Sequence, residues 1–154
     1  MNWAFLQTND LMGRQHTQVQ TLSPQGSLTI RKRKEDGLKI LFNSFVGNSM
    51  YYTIKHTIFR TLTIKVKFDD KIYSMDIDKA ANDLTTFFIS SHETKFFIRK
   101  MKYCETMVIE YNTLDGRYQA KFNVSGFEQL LLEKDSYDTL IPKENKWFGW
   151  LNML

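Results

Sequence analysis

The chain has one cysteine, Cys104, in 154 residues. That count excludes an internal disulfide and a cysteine-rich zinc site. It fits a reducing compartment, although exported proteins without disulfides are common. Proline occurs twice and glycine seven times, too sparse for a linker-rich or low-complexity chain. No apolar run approaches the roughly 20 residues of a membrane-spanning helix. The opening Met1-Asn2-Trp3-Ala4-Phe5-Leu6 has no basic n-region and no apolar stretch of signal-peptide length. The expectation is a cytoplasmic protein, or a periplasmic one whose signal has been removed. His16, His56 and His92 are isolated, with no His-Glu-x-x-His among them. No Walker loop, Gly-x-Gly-x-x-Gly or Gly-x-Ser-x-Gly occurs. Neither an enzyme nor a cofactor is therefore expected.

What is present is apolar and aromatic. The 12 Phe and 7 Tyr are spread along the whole chain, which argues against broad disorder. The length suits one domain with a real core, residues 1–154, closed by an aromatic tail over residues 140–154. A net charge of +4 permits attraction to nucleic acid or an acidic protein surface and requires neither.

Strand periodicity dominates. Leu62, Ile64, Val66 and Phe68 alternate with Thr63, Lys65 and Lys67, so one face is buried and the other wet. Tyr118, Ala120, Phe122 and Val124 alternate in the same way. Ser23-Pro24-Gln25-Gly26, Glu35-Asp36-Gly37, Asp69-Asp70-Lys71 and Leu114-Asp115-Gly116 are turn signals between strand-like runs. Short connections favour antiparallel pairing.

Two serines stand three residues before a glutamate, in Ser90-Ser91-His92-Glu93 and Ser125-Gly126-Phe127-Glu128. That spacing is a capping box: the serine hydroxyl accepts from the third helical amide, and the glutamate reaches back to the cap amide. It predicts one helix over 91–103, with Phe97, Met101 and Cys104 inward and Lys95, Arg99 and Lys102 outward. A second is predicted from Phe127 to about Lys134. The fold class expected is mainly β, a β-sandwich or curled antiparallel sheet with two short α-helices.

The helix stretch Phe96-Phe97-Ile98-Arg99-Lys100-Met101, a following strand, and Ala120-Lys121-Phe122-Asn123-Val124-Ser125-Gly126-Phe127-Glu128 carry a resemblance. This half of the chain resembles the C-terminal half of the VasI-like accessory proteins of type VI secretion. Trp3 with Asp10-Leu11-Met12-Gly13 is similar to the mature start of such proteins. The resemblance implies an exported secretion accessory role and no catalytic residue set. The chain departs from the family in lacking paired cysteines.

Three basic clusters and the tail are the candidate partner-binding residues. Arg31, Lys32, Arg33 and Lys34 end a strand; Lys65 and Lys67 line another; Lys95 and Arg99, with Lys100 and Lys102, stud the first helix. If convergent they would form a phosphate-compatible patch. The plainer reading is a solvated outer face whose lysines guard sheet edges. Trp147, Phe148 and Trp150 either dock on the chain's own core or await a partner. Cys104 has the helical phase of a packed apolar thiol, and Asp69-Asp70 reads as a turn former. Asp76 and Asp78 share strand parity and are the nearest thing to a cation site.

These features predict a non-enzymatic adaptor or inhibitor that binds a larger protein or ribonucleoprotein assembly. A phage or mobile-element inhibitor fits that description, with no motif singling it out. The alternatives are the exported type VI secretion accessory protein and a basic nucleic-acid-binding protein.

Overall fold

A computed structural model describes residues 3–9, 11–13, 15–33, 37–45, 62–79, 85–113 and 116–128. The strands are β1 (Trp3–Asn9), β2 (Gln15–Ser23), β3 (Gly26–Arg33), β4 (Gly37–Ser44), β5 (Leu62–Phe68), β6 (Lys71–Lys79), β7 (Thr86–Ile89), β8 (Thr106–Thr113) and β9 (Gly116–Asn123). A 3-10 turn (Ser91–Glu93) leads into the helix α1 (Thr94–Lys102).

The nine strands among the described residues form one antiparallel sheet in the order β1-β2-β3-β4-β7-β6-β5-β8-β9. Period-two burial sets which face looks inward. Along β8, Met107, Ile109, Tyr111 and Thr113 are buried, while the residues between them are not. Along β5, Ile64, Val66 and Phe68 are buried, and Thr63, Lys65 and Lys67 are exposed.

The sheet curls over its own core. Phe42 on β4 touches its neighbour Phe87 on β7, as register requires. It also packs on Tyr111 of β8 at 5.0 Å and Phe122 of β9 at 6.1 Å between ring centroids. Those strands lie well away from β4 in the sheet order, so only a sheet folded back on itself can bring the rings together. The Ser44 and Tyr111 hydroxyls hydrogen-bond across the same interior at 2.5 Å. At the edges, the Trp3 indole N–H donates to the Val124 carbonyl at 3.3 Å, and its ring lies 4.9 Å from Phe127. β1 is thereby fastened to the segment that follows β9.

Turn chemistry supports this path. Gly26 follows the Pro24-Gln25 turn, and a side chain there would collide with the Asn43 carbonyl and the Phe42 ring. Asp69 adopts φ 53° between β5 and β6, a left-handed conformation that aspartate tolerates better than most residues.

The predicted mainly β architecture holds, in its curled-sheet form. Of the two expected helices, one is a full element among the described residues, running from Ser91 to Lys102. Phe127 and Glu128 are helical in conformation, and the rest of the second predicted helix lies outside the described residues. Neither capping box forms. Ser90 makes no side-chain cap bond; its hydroxyl donates to Asp78 Oδ1 at 3.2 Å. Glu93 turns to the sheet, where its Oε2 accepts from the Asp76 amide at 3.0 Å. The Ser125 hydroxyl donates to Asn123 Oδ1 at 2.6 Å. In both places a nearby strand residue outcompetes the local cap. Among the described residues, no helix is long and apolar enough to cross a membrane.

Candidate functional site

The helix α1 closes one end of the curled sheet. Phe97, Ile98 and Met101 are buried beneath it. Phe97 meets Phe68 edge-on at 5.3 Å, and Phe96 meets Tyr73 edge-on at 5.0 Å. The helix therefore sits against the end of the sheet where β5 turns into β6. That turn is clamped in place. Asp69 Oδ1 accepts from the Glu105 and Thr106 amides at 3.0 and 3.1 Å, and the Asp69 amide donates to the Thr106 carbonyl at 2.8 Å.

Between turn and helix lies a cleft of about 320 Å³. The turn contributes Asp69, Asp70 and Lys71; the helix end contributes Arg99, Lys100 and Tyr103. Phe68 and Cys104, both buried, form the floor, and Tyr73 forms a wall.

The cations here are seated on rings. The Lys100 ammonium lies 5.3 Å from the Tyr73 ring centre and 5.4 Å from that of Phe96. The Arg99 guanidinium lies 5.5 Å from Phe96, and the Lys102 ammonium 5.7 Å from Tyr103. All fall within the roughly 6 Å range of cation–π attraction, worth about 0.5–1 kcal/mol at exposed sites. None of Lys71, Lys95, Arg99, Lys100 or Lys102 forms an ion pair with a described residue. Part of this arrangement serves the helix itself, since cations in the last turn offset the partial negative charge of its carbonyl end.

The other predicted residues lie elsewhere. On β3, Arg31 reaches over the Phe88 ring at 5.8 Å; Lys32 and Arg33 are half-buried on the same strand. Four strand spacings separate β3 from β5 in the sheet order, about 19 Å along the sheet. Lys65 and Lys67 point to the outer face of β5, opposite to Phe68, which points to α1. In register, Lys65 faces Glu110, which also takes a hydrogen bond from Gln119 at 2.8 Å and a contact from Arg117 at 3.8 Å. Arg31 and the two β5 lysines thus share the outer face of the sheet but stand apart along it, while α1 packs on the side of Phe68. Lys34, Trp147, Phe148 and Trp150 lie outside the described residues.

The cleft's ring partners escaped the sequence reading, although part of the signal was there. Phe96 precedes Arg99 by three residues and Lys100 by four, the spacing that stacks side chains on one helix face. The part played by Tyr73 depends on tertiary packing and had no local signal.

Reactive groups are engaged structurally. Burial, and then the nearby charge of Asp69, push the Cys104 thiol up to about 12. It is therefore a protonated, poorly nucleophilic thiol at neutral pH. His92 Nε2 pairs with Asp76 Oδ2 at 2.7 Å on the surface, while the Ser90 hydroxyl is turned to Asp78. Among the described residues, no group of three or more His, Cys, Asp or Glu could hold a metal ion. Comparison of the chain with family models, curated proteins and solved structures returns no match.

Proposed function

We propose that the chain is a non-enzymatic binding module, an adaptor or inhibitor that docks on a larger protein or ribonucleoprotein assembly through the cationic flank of α1. The observation that carries this reading is the set Lys95, Arg99, Lys100 and Lys102, none of which is ion-paired with a described residue. Arg99, Lys100 and Lys102 also rest on aromatic rings. Charges held in place lose less side-chain entropy on docking than free ones. No described carboxylate has to be displaced first. A partner of acidic character is the natural complement.

The test is capture from the native host with the wild-type chain and with K95E/R99E/K102E, each verified as folded by circular dichroism. Wild-type capture should weaken between about 50 and about 500 mM salt as surface charges are screened. The charge-reversed variant should lose it. Undiminished capture by that variant would overturn the proposal.

Direct nucleic-acid binding is the second reading. It is favoured by the rings beside the α1 cations and by Tyr103, which is 70% exposed. It requires affinity for a single-stranded oligonucleotide that falls linearly in log–log form with salt. A flat salt response removes it.

A further inference from the structure

We infer that the cleft between the β5–β6 turn and the end of α1 is a binding site for a dianionic phosphate monoester. The inference rests on the docking reading above and gives that surface its ligand chemistry.

Size comes first. At about 320 Å³ the cleft lies at the lower end of small-ligand sites, which run from about 300 to 1,000 Å³. It has room for one phosphate and a small organic carrier. Its buried floor of Phe68 and Cys104, with Tyr73 and Tyr103 beside them, suits an apolar carrier.

Charge comes second. Lys71, Arg99 and Lys100 line the cleft without a described carboxylate partner. Against them stand Asp69 and Asp70. Asp69 is already committed, because its Oδ1 accepts from the amides of Glu105 and Thr106. Those bonds leave its charge in place, so Asp69 and Asp70 both oppose an anion, and the three cations outnumber them by one. The balance favours negative charge, and a dianion gains more from it than a carboxylate does. The Arg99 guanidinium offers a planar fork matched to phosphate oxygens.

Preorganisation comes third. Lys100 is held over Tyr73 and Phe96, and Arg99 over Phe96. The Lys100 and Met101 carbonyls at the helix end already accept from the Tyr103 amide, and Met101 accepts from the Cys104 amide as well. Those carbonyls are therefore occupied and oppose a bound anion less. With Cys104 a protonated thiol, the site holds its ligand without covalent chemistry.

The experiment is an amide-shift titration of the full chain with inorganic phosphate, phenyl phosphate and acetate at matched ionic strength. Both phosphates should give saturable shifts at residues 69–73 and 99–105, and acetate should not. Tighter binding of phenyl phosphate than of inorganic phosphate assigns the ligand to a carried phosphate; equal binding assigns it to the free ion and overturns the monoester. R99Q/K100Q should weaken either by about tenfold or more, the scale of one charge-assisted hydrogen bond. D70N should tighten binding severalfold. The inference falls if no saturable shift appears, if acetate matches phosphate, or if both variants bind like wild type. Partner capture separates the two readings. Salt-sensitive capture without phosphate binding leaves the docking reading standing and this inference overturned. Saturable phosphate binding with salt-insensitive capture does the reverse.

Discussion

Replacing Trp3 tests whether the sheet is held curled by its edges. The indole N–H bonds to the Val124 carbonyl at 3.3 Å, and the ring packs 4.9 Å from Phe127. Trp3→Phe removes the donor and keeps an aromatic ring. The lost hydrogen bond should cost about 1 kcal/mol. The cost is not larger because the Val124 carbonyl also accepts from the Phe127 amide. The smaller ring forfeits about another 1 kcal/mol of apolar contact. A total near 2 kcal/mol should lower Tm by about 4–8 °C in a chain of this size. Trp3→Ala, which empties the site, should cost about 3–5 kcal/mol. Urea unfolding measures the energies, and hydrogen exchange shows where they act. Protection should fall first along β1 and β2, because β2 is the only strand partner of β1 among the described residues. A loss below about 0.5 kcal/mol in Trp3→Phe, within the ordinary scatter of surface changes, with β1 protection unchanged, would refute the edge contact as a fastening.

Other consequences follow from single contacts. Glu93→Ala should cost about 1–2 kcal/mol and expose the Asp76 amide to hydrogen exchange while sparing the Ser90 amide, which donates to the Asp76 carbonyl; a helix cap would give the opposite pattern. Asp69→Asn keeps an acceptor and the left-handed conformation, so it should cost under about 1 kcal/mol, whereas Asp69→Ala loses both and should cost about 2–3 kcal/mol in urea unfolding. Burial raises the proton affinity of both Cys104 and Tyr111 in the folded chain, with the Ser44 hydrogen bond partly countering it at Tyr111. The unfolded chain therefore ionises first. Stability from the thiol should be complete below pH 9 and drain away as pH rises toward 12. Cys104→Ala should flatten the alkaline fall in Tm relative to wild type.

Much of the strand content was legible because period-two burial is a local property. Ile64, Val66 and Phe68, or Ala120 and Phe122, declare their inward face from their own neighbours. The turn at Asp69-Asp70 and the inward face of α1 were legible for the same reason. The two serine-glutamate pairs misled because capping is a competition. Asp78 and the Asp76 amide, brought close by the pairing of β6 with β7, offered Ser90 and Glu93 better partners than the helix end did.

Local pattern alone determined which residues turn inward and where the chain bends. It did not determine which strands become neighbours. The order that places β7 and β6 between β4 and β5, the curl that sets Phe42 against Phe122, and the meeting of Tyr73 with Lys100 are tertiary facts. They depend on contacts between residues far apart in the chain. Such contacts are chosen by the shared burial of many side chains, and no short stretch of sequence encodes that.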